Sequence, residues 1–212
     1  MRRTEIRPDA SAKREAMLLG QPPRLSPLRI EDFSAEALAL TDRMMRSVGN
    51  DRRELSLETI PELIPTLMRH PGLFARITDL SLQLLAHGAL PARDRELAVL
   101  RLAWLCQAPY EWGEHVPIAK RCGVTDAEIG RIIAGPDADG WSPADAALIR
   151  AVDELYGDAM ISDGTWAMLA SRYGDQELIE LPILVGQFQS VAYLQNALRL
   201  RLDRDNPGLS AR

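Results

Sequence analysis

The stretch Pro91-Ala-Arg-Asp-Arg-Glu96-Leu-Ala-Val-Leu-Arg-Leu-Ala-Trp-Leu105, followed after Cys106-Gln-Ala by Pro109-Tyr-Glu-Trp-Gly-Glu-His115-Val-Pro-Ile-Ala119, decides the fold. Proline at the opening and acids in the first turns start a helix that stays apolar through Leu105. Pro109 breaks it, and a second helix runs from Tyr110 to a stop at Gly123. A break that short makes the two helices antiparallel neighbours.

The helical pattern continues in both directions. Downstream, Thr125-Asp-Ala-Glu128 has capping-box spacing for a short helix ending at Gly135, and Ser142-Pro-Ala-Asp145 opens another that reaches Tyr156. Ser162 or Asp163 caps a helix to Tyr173, and a long one spans residues 175–202, with Pro182 and Gly186 as points where it can kink. Upstream, Ser34 caps a helix with Leu38, Met44, Met45 and Val48 on its buried side, and a second is expected over residues 56–68. A third covers residues 71–86, with Leu73, Ile77, Leu80, Leu84 and Leu85 facing inward. Residues 1–30 carry seven basic residues and four prolines; they read as an extended N-terminal arm with a short helix near residues 11–19, more a mobile tail than a packed element.

Residues 31–205 then form a single domain. No segment alternates with period two, and 58 Leu and Ala stand against 27 Val, Ile and Thr, which favours helix over sheet. The expected class is all-α, a compact helical bundle. Shifting the chain by 81 positions lays Arg95-Glu-Leu over Gln176-Glu-Leu and His115 over Asn196, so an internal pseudo-repeat is a candidate feature.

Lys and Arg number 25 against 30 Asp and Glu, a net charge of −5, so no global positive field draws phosphate backbones or anionic lipid. Nucleic acid and membrane are not expected partners, and with no long apolar run and a charged N-terminus the chain reads as cytoplasmic. Cys106 and Cys122 fit neither a CxxC pair nor a zinc-ligand pair, and both read as small buried hydrophobes.

Of three histidines, His70 and His87 sit at helix ends, whereas His115 follows Glu111 by four residues on one helix face. A carboxylate there can accept a ring N–H, making an acid/base pair; a solvated helical ion pair has the same spacing. Glu96 opens a mostly apolar helix, where burial requires a partner across the helix pair, although a glutamate favoured by the helix dipole would occupy the same place.

From Arg95-Glu-Leu-Ala-Val-Leu through Tyr110-Glu-Trp-Gly-Glu-His115 to Gly123-Val-Thr-Asp-Ala-Glu-Ile129, the chain resembles the carboxymuconolactone decarboxylase family, which includes the alkyl hydroperoxidase D proteins. The match is clearest over residues 70–135. The resemblance implies an all-α fold and a homo-oligomer, a trimer or hexamer with a dimer also open, with the active pocket near subunit contacts. In the peroxidase branch a CxxC pair precedes the histidine by four residues; those cysteine positions fall on Ala108 and Glu111, and Cys106 is out of register, so thiol peroxidase chemistry is not expected.

What remains is an acid/base site of His115, Glu96 and Glu111, with Trp112 and Tyr110 walling the pocket. In the decarboxylase branch the resemblance implies a small carboxylated unsaturated lactone from aromatic catabolism. Loss of CO2 leaves a dienolate to be stabilised and reprotonated, with the lactone carbonyl as electron sink and no cofactor. His115 oriented by Glu111 would handle the proton, with Glu96 as relay, and Arg95 and Arg101 are candidate cations for an acidic substrate. Isomerisation, hydration or dehydration next to a carbonyl would use the same equipment. A divalent metal on Glu96, Glu111 and His115, or a non-catalytic helical oligomer that binds a ligand, are the rival readings, and the preferred one holds no metal.

Overall fold

The computed structural model describes residues 8–47, 60–203 and 205–212. Among them the chain forms α1 (Pro8–Leu19), α2 (Ala35–Ser47), α3 (Leu63–Leu67), α4 (Pro71–Ala86), α5 (Ala92–Leu105), α6 (Pro109–Arg121), α7 (Asp126–Ala134), α8 (Pro143–Asp158), α9 (Asp163–Ala170) and α10 (Asp175–Leu198). No strand is present among the described residues, and none of their helices is long and apolar enough to cross a membrane.

Helix α5 is the axis of the bundle. Every residue from Glu96 to Trp104 is buried, as befits a helix apolar on all sides, and α6, α7, α8 and α10 pack around it. The charges buried on this helix need partners. Arg101 donates to both carboxylate oxygens of Asp153 on α8, at 2.6 and 2.8 Å, and to the Ile132 carbonyl near the end of α7 at 2.7 Å. The cation read as a candidate for substrate therefore serves the fold. At the start of α5, Asp94 accepts from Arg172 at 2.7 Å and from the Tyr173 hydroxyl at 2.7 Å. Asp145 on α8 accepts from Arg93 and Arg172. Burial alone would raise the Asp145 carboxyl, but the two guanidiniums and the Ser142 hydroxyl hold it below its ordinary range.

The local start signals are realised. Thr125 and Glu128 close a capping box on α7, and the Ser142 and Ser162 hydroxyls cap α8 and α9. Other expectations shift. On α4 the buried face holds Phe74, Thr78 and Leu84, leaving Leu73 and Leu80 exposed, because the helix turns toward α2 and completes a second apolar cluster of Phe33, Ala37, Leu40, Ile64 and Met68. Leu38 on α2 faces out beside that cluster, while the side chains of Met44 and Met45, and all of Val48, lie outside the described residues. Of the helix expected over 56–68, residues 56–59 are likewise outside, and Leu63–Leu67 is helical. Helix α9 stops at Ala170, before Tyr173. Helix α10 stops at Leu198, where Arg199 takes the left-handed conformation at φ 56°. The 81-residue echo lays α5 and α6, with their intervening turn, over an unbroken α10, so it does not mark a repeated structural unit.

The C-terminal segment packs on α6, and α1 packs on that segment in turn. Helix α1 is longer than expected, and its Glu15 accepts from the Leu209 N–H at 3.1 Å, while Arg24 donates its backbone N–H to Leu198. Residues 203 and 205–211 lie along α6. Asp203 accepts from the Tyr110 hydroxyl at 2.9 Å, Asn206 donates to the Tyr110 carbonyl at 2.9 Å, and the Ala211 carbonyl accepts from the Trp112 indole at 3.1 Å. Gly113 makes the approach possible: a Cβ there would stand 1.7 Å from Asn206 Oδ1.

Two substitutions test this frame. Gly113→Ala gains about 1 kcal/mol of helix propensity yet displaces Asn206, so the expected result is faster proteolysis within 203–212 with far-UV helicity retained. Asp153→Asn strands the Arg101 guanidinium in the interior and is expected to cost about 2–3 kcal/mol in denaturant unfolding.

Candidate functional site

Helices α5 and α6 form an antiparallel hairpin around Cys106-Gln107-Ala108, with Gln107 at φ 46° and its side-chain amide donating to the Trp104 carbonyl at 2.8 Å. The hairpin sets Glu96 opposite His115. Glu96 Oε2 and His115 Nδ1 are 2.8 Å apart, and Arg95 Nε donates to Glu96 Oε1 at 3.0 Å. Arg95 is itself held by the Leu85 carbonyl at 2.8 Å. Both carboxylate oxygens of Glu96 are thus occupied, one by each neighbour. Burial pushes the Glu96 carboxyl up, but the His115 hydrogen bond and the charges of His115 and Arg95 outweigh it and hold the carboxyl below its ordinary value.

That charge fixes the imidazole. An ionised carboxylate only accepts, so His115 Nδ1 carries a hydrogen toward Glu96 and Nε2 is the ring atom left to take or give a proton. Phe188 of α10 meets the ring edge-on, centroids 5.2 Å apart, and restrains its plane. Glu96 is 0% exposed and His115 8%, so the imidazole is the outer member of the dyad.

Glu111 takes a different part from the one its spacing implied. It is buried, neither carboxylate oxygen has a hydrogen-bond partner among the described residues, and it does not bond His115. Without a partner, burial lifts its carboxyl well above the usual range and favours the uncharged acid. The reason is tertiary: i, i+4 places Glu111 and His115 on one face, but the side chain presented by α5 wins the imidazole. Trp112 and Tyr110 also differ from expectation. Trp112 is fully buried against Trp104, centroids 5.1 Å apart, and Tyr110 is buried with its hydroxyl on Asp203, so both anchor the C-terminal segment rather than wall a pocket.

Among the described residues no three His, Cys, Asp or Glu side chains are grouped to hold a metal ion, because Glu111 stands apart from the dyad. Cys106 is buried, and burial is the largest cause pushing its thiol up to about 12, far from a thiolate at neutral pH. Arg95 as a clamp on Glu96, Phe188 as a wall and Asn206 as a tie were not read from the sequence; only Arg95, adjacent to a glutamate due for burial, carried a signal.

The sequence pattern of the carboxymuconolactone decarboxylase family matches residues 71–154, which hold the whole α5–α6 hairpin. The segment that carries the dyad thus resembles that family, over less than half of the chain. The chain shares its fold with an alkylhydroperoxidase AhpD core, an uncharacterised peroxidase-related protein from Ralstonia eutropha, at TM-score 0.72 and 13% identity over 87% of this chain and 95% of that one. The debrominase Bmp8, solved with 2,3,4-tribromopyrrole, superposes at TM-score 0.69 and 16% identity, covering 88% of this chain and 95% of Bmp8. A peroxidase-related protein from a Silicibacter species gives 0.69 at 11% identity over 88% and 96%. No curated protein matches the chain in sequence.

The buried acid yields a pH signature. Folding takes up a proton at Glu111, so its contribution to stability falls as pH rises above 4.5, the ordinary value of the carboxyl. The melting temperature of Glu111→Gln minus that of the unaltered protein is therefore expected to grow from about pH 5 to about pH 8. A difference flat across that window would show Glu111 ionised and partnered.

Proposed function

We propose that the protein is a cofactor-independent acid/base enzyme that decarboxylates a small carboxylated lactone or related unsaturated acid. The observation that carries this reading is the His115–Glu96 pair, a buried carboxylate that fixes Nδ1–H and leaves Nε2 as the proton-exchanging atom. The match of residues 71–154 to the carboxymuconolactone decarboxylase family supports it. So does the absence of a CxxC pair, since Ala108 and Glu111 stand where the cysteines of the peroxidase branch would be.

The carbon–carboxylate bond of the substrate breaks with its electron pair passing into the unsaturated system and onto the carbonyl oxygen, and CO2 leaves. The resulting dienolate takes one proton from His115 Nε2–H, which solvent then restores. Glu96 keeps the ring oriented and balances the imidazolium, and Arg95 keeps Glu96 ionised. A homo-oligomer with this site near a subunit contact accords with the family resemblance and is part of the proposal.

The test follows CO2 release and solvent-deuterium incorporation together on a panel of carboxylated muconolactones. CO2 release is expected, falling roughly 10²–10⁴-fold in His115→Ala. Glu96→Gln, which removes the fixed charge behind the ring, should lower kcat more than it raises KM and shift the pH profile. Deuterium exchange without CO2 would replace decarboxylation with isomerisation, and neither signal would remove this substrate class.

A further inference from the structure

A cavity of about 540 Å³ opens between α1, α8 and α10, away from the dyad, and neither Glu96 nor His115 lines it. Its volume falls within the range of roughly 300–1,000 Å³ usual for small-molecule sites. Three guanidiniums reach it from three parts of the chain: Arg14 from α1, Arg24 from the segment after α1, and Arg199 from the end of α10. No carboxylate lines the cavity, and among the described residues none of the three arginines makes an ion pair. In a chain of net charge −5 that is a local reversal of sign. Two of the cations are also positioned by the backbone. Arg24 donates a guanidinium N–H to the Ala197 carbonyl at 3.0 Å and its backbone N–H to Leu198 at 2.9 Å. Arg199 sits at φ 56° and ψ 50°, in the left-handed helix cap that glycine fills without strain, so the backbone bears a cost to keep a guanidinium at this rim.

The rest of the lining is mostly apolar, and its one amide, Asn196, donates to the Cys106 carbonyl at 3.1 Å. Tyr156 of α8 and Tyr193 of α10 contribute rings that are 40% and 57% exposed, and Met17 and Leu18 of α1 complete the wall. Aromatic faces beside unpaired guanidiniums suit a planar ring that carries its own anionic groups: the tyrosines take the ring and the arginines the carboxylates. Inorganic phosphate would satisfy the cations and leave the aromatic wall unused.

We infer that this cavity is a binding site for a planar aromatic polycarboxylate, held by Arg14, Arg24 and Arg199 against Tyr156 and Tyr193, and separate from the Glu96–His115 dyad. The site stands independently of the decarboxylation reading, since no proton transfer is asked of it.

The experiment is calorimetric titration of the full chain with phthalate and benzene-1,3,5-tricarboxylate, with benzoate and inorganic phosphate as comparisons. Saturable binding of one polycarboxylate per chain is expected, at least tenfold tighter than benzoate or phosphate. Arg14→Gln and Arg199→Gly should each weaken it at least tenfold, and His115→Gln should leave it unchanged. Arg199→Gly relieves the left-handed strain, so its melting temperature should hold or rise while binding falls, which separates loss of the site from loss of the fold. Absence of saturable binding in the unaltered protein, equal binding by the arginine variants, or phosphate binding as tightly as the polycarboxylates would overturn the inference. Loss of binding in His115→Gln would move the ligand to the dyad and overturn it as well.

Discussion

Burial of α5 on all sides is the constraint from which the rest of the molecule follows. Nine consecutive residues of that helix, Glu96 to Trp104, are withdrawn from water, and two of them carry charge. A charge so placed is tolerated only with partners of matched sign and good geometry. Arg101 finds Asp153 and the carbonyl end of α7, which fixes how α7 and α8 lie against the axis. Glu96 finds His115 and Arg95, which fixes the register of the α5–α6 hairpin. The same requirement thus builds the scaffold on one flank of α5 and the reactive pair on another. In that sense the dyad is the internal ion pair of the fold with one partner able to exchange a proton at a second atom.

Within twenty residues the chain places two carboxylic acids in one interior and pushes them in opposite directions. Glu96 is held toward the ionised form because a histidine and an arginine face it; burial with no partner among the described residues pushes Glu111 toward the neutral form. Glu114, half-buried at the α6 surface, is raised by burial, eased by its hydrogen bond from Asn206, and raised again by Asp203. Environment, not residue type, distributes the protons here, and a pair of acids driven apart in this way is a common basis for acid/base chemistry.

What the sequence made legible was local. The capping box at Thr125 and Glu128, the serine caps of α8 and α9, and the break before Pro109 depend on neighbours within four residues, and each appears where spacing placed it. Glu96 and His115 were legible too, since a glutamate in an apolar helix and a histidine on the next leave few alternatives for burial. The failures are of one kind: they needed knowledge of which face of a helix meets which neighbour. Leu73 and Leu80 share a stripe that reads as inward, but the rotation of α4 toward α2 exposes both. Glu111 shares a face with His115, yet the imidazole turns to α5. Trp112 and Tyr110 look like pocket walls until residues nearly a hundred positions later arrive to cover them.

That last dependence has a bearing on synthesis. The indole N–H of Trp112 meets its acceptor, the Ala211 carbonyl, across 99 positions of sequence, and the Tyr110 hydroxyl meets Asp203 across 93. A ribosome adding about 5–20 residues per second leaves the outer side of the α5–α6 hairpin uncovered for on the order of 5–20 s after α6 itself has been made. For that interval two aromatic side chains and the notch at Gly113 are open to other chains. The part of the molecule that carries the dyad is finished late, and a nascent chain is most in need of protection there.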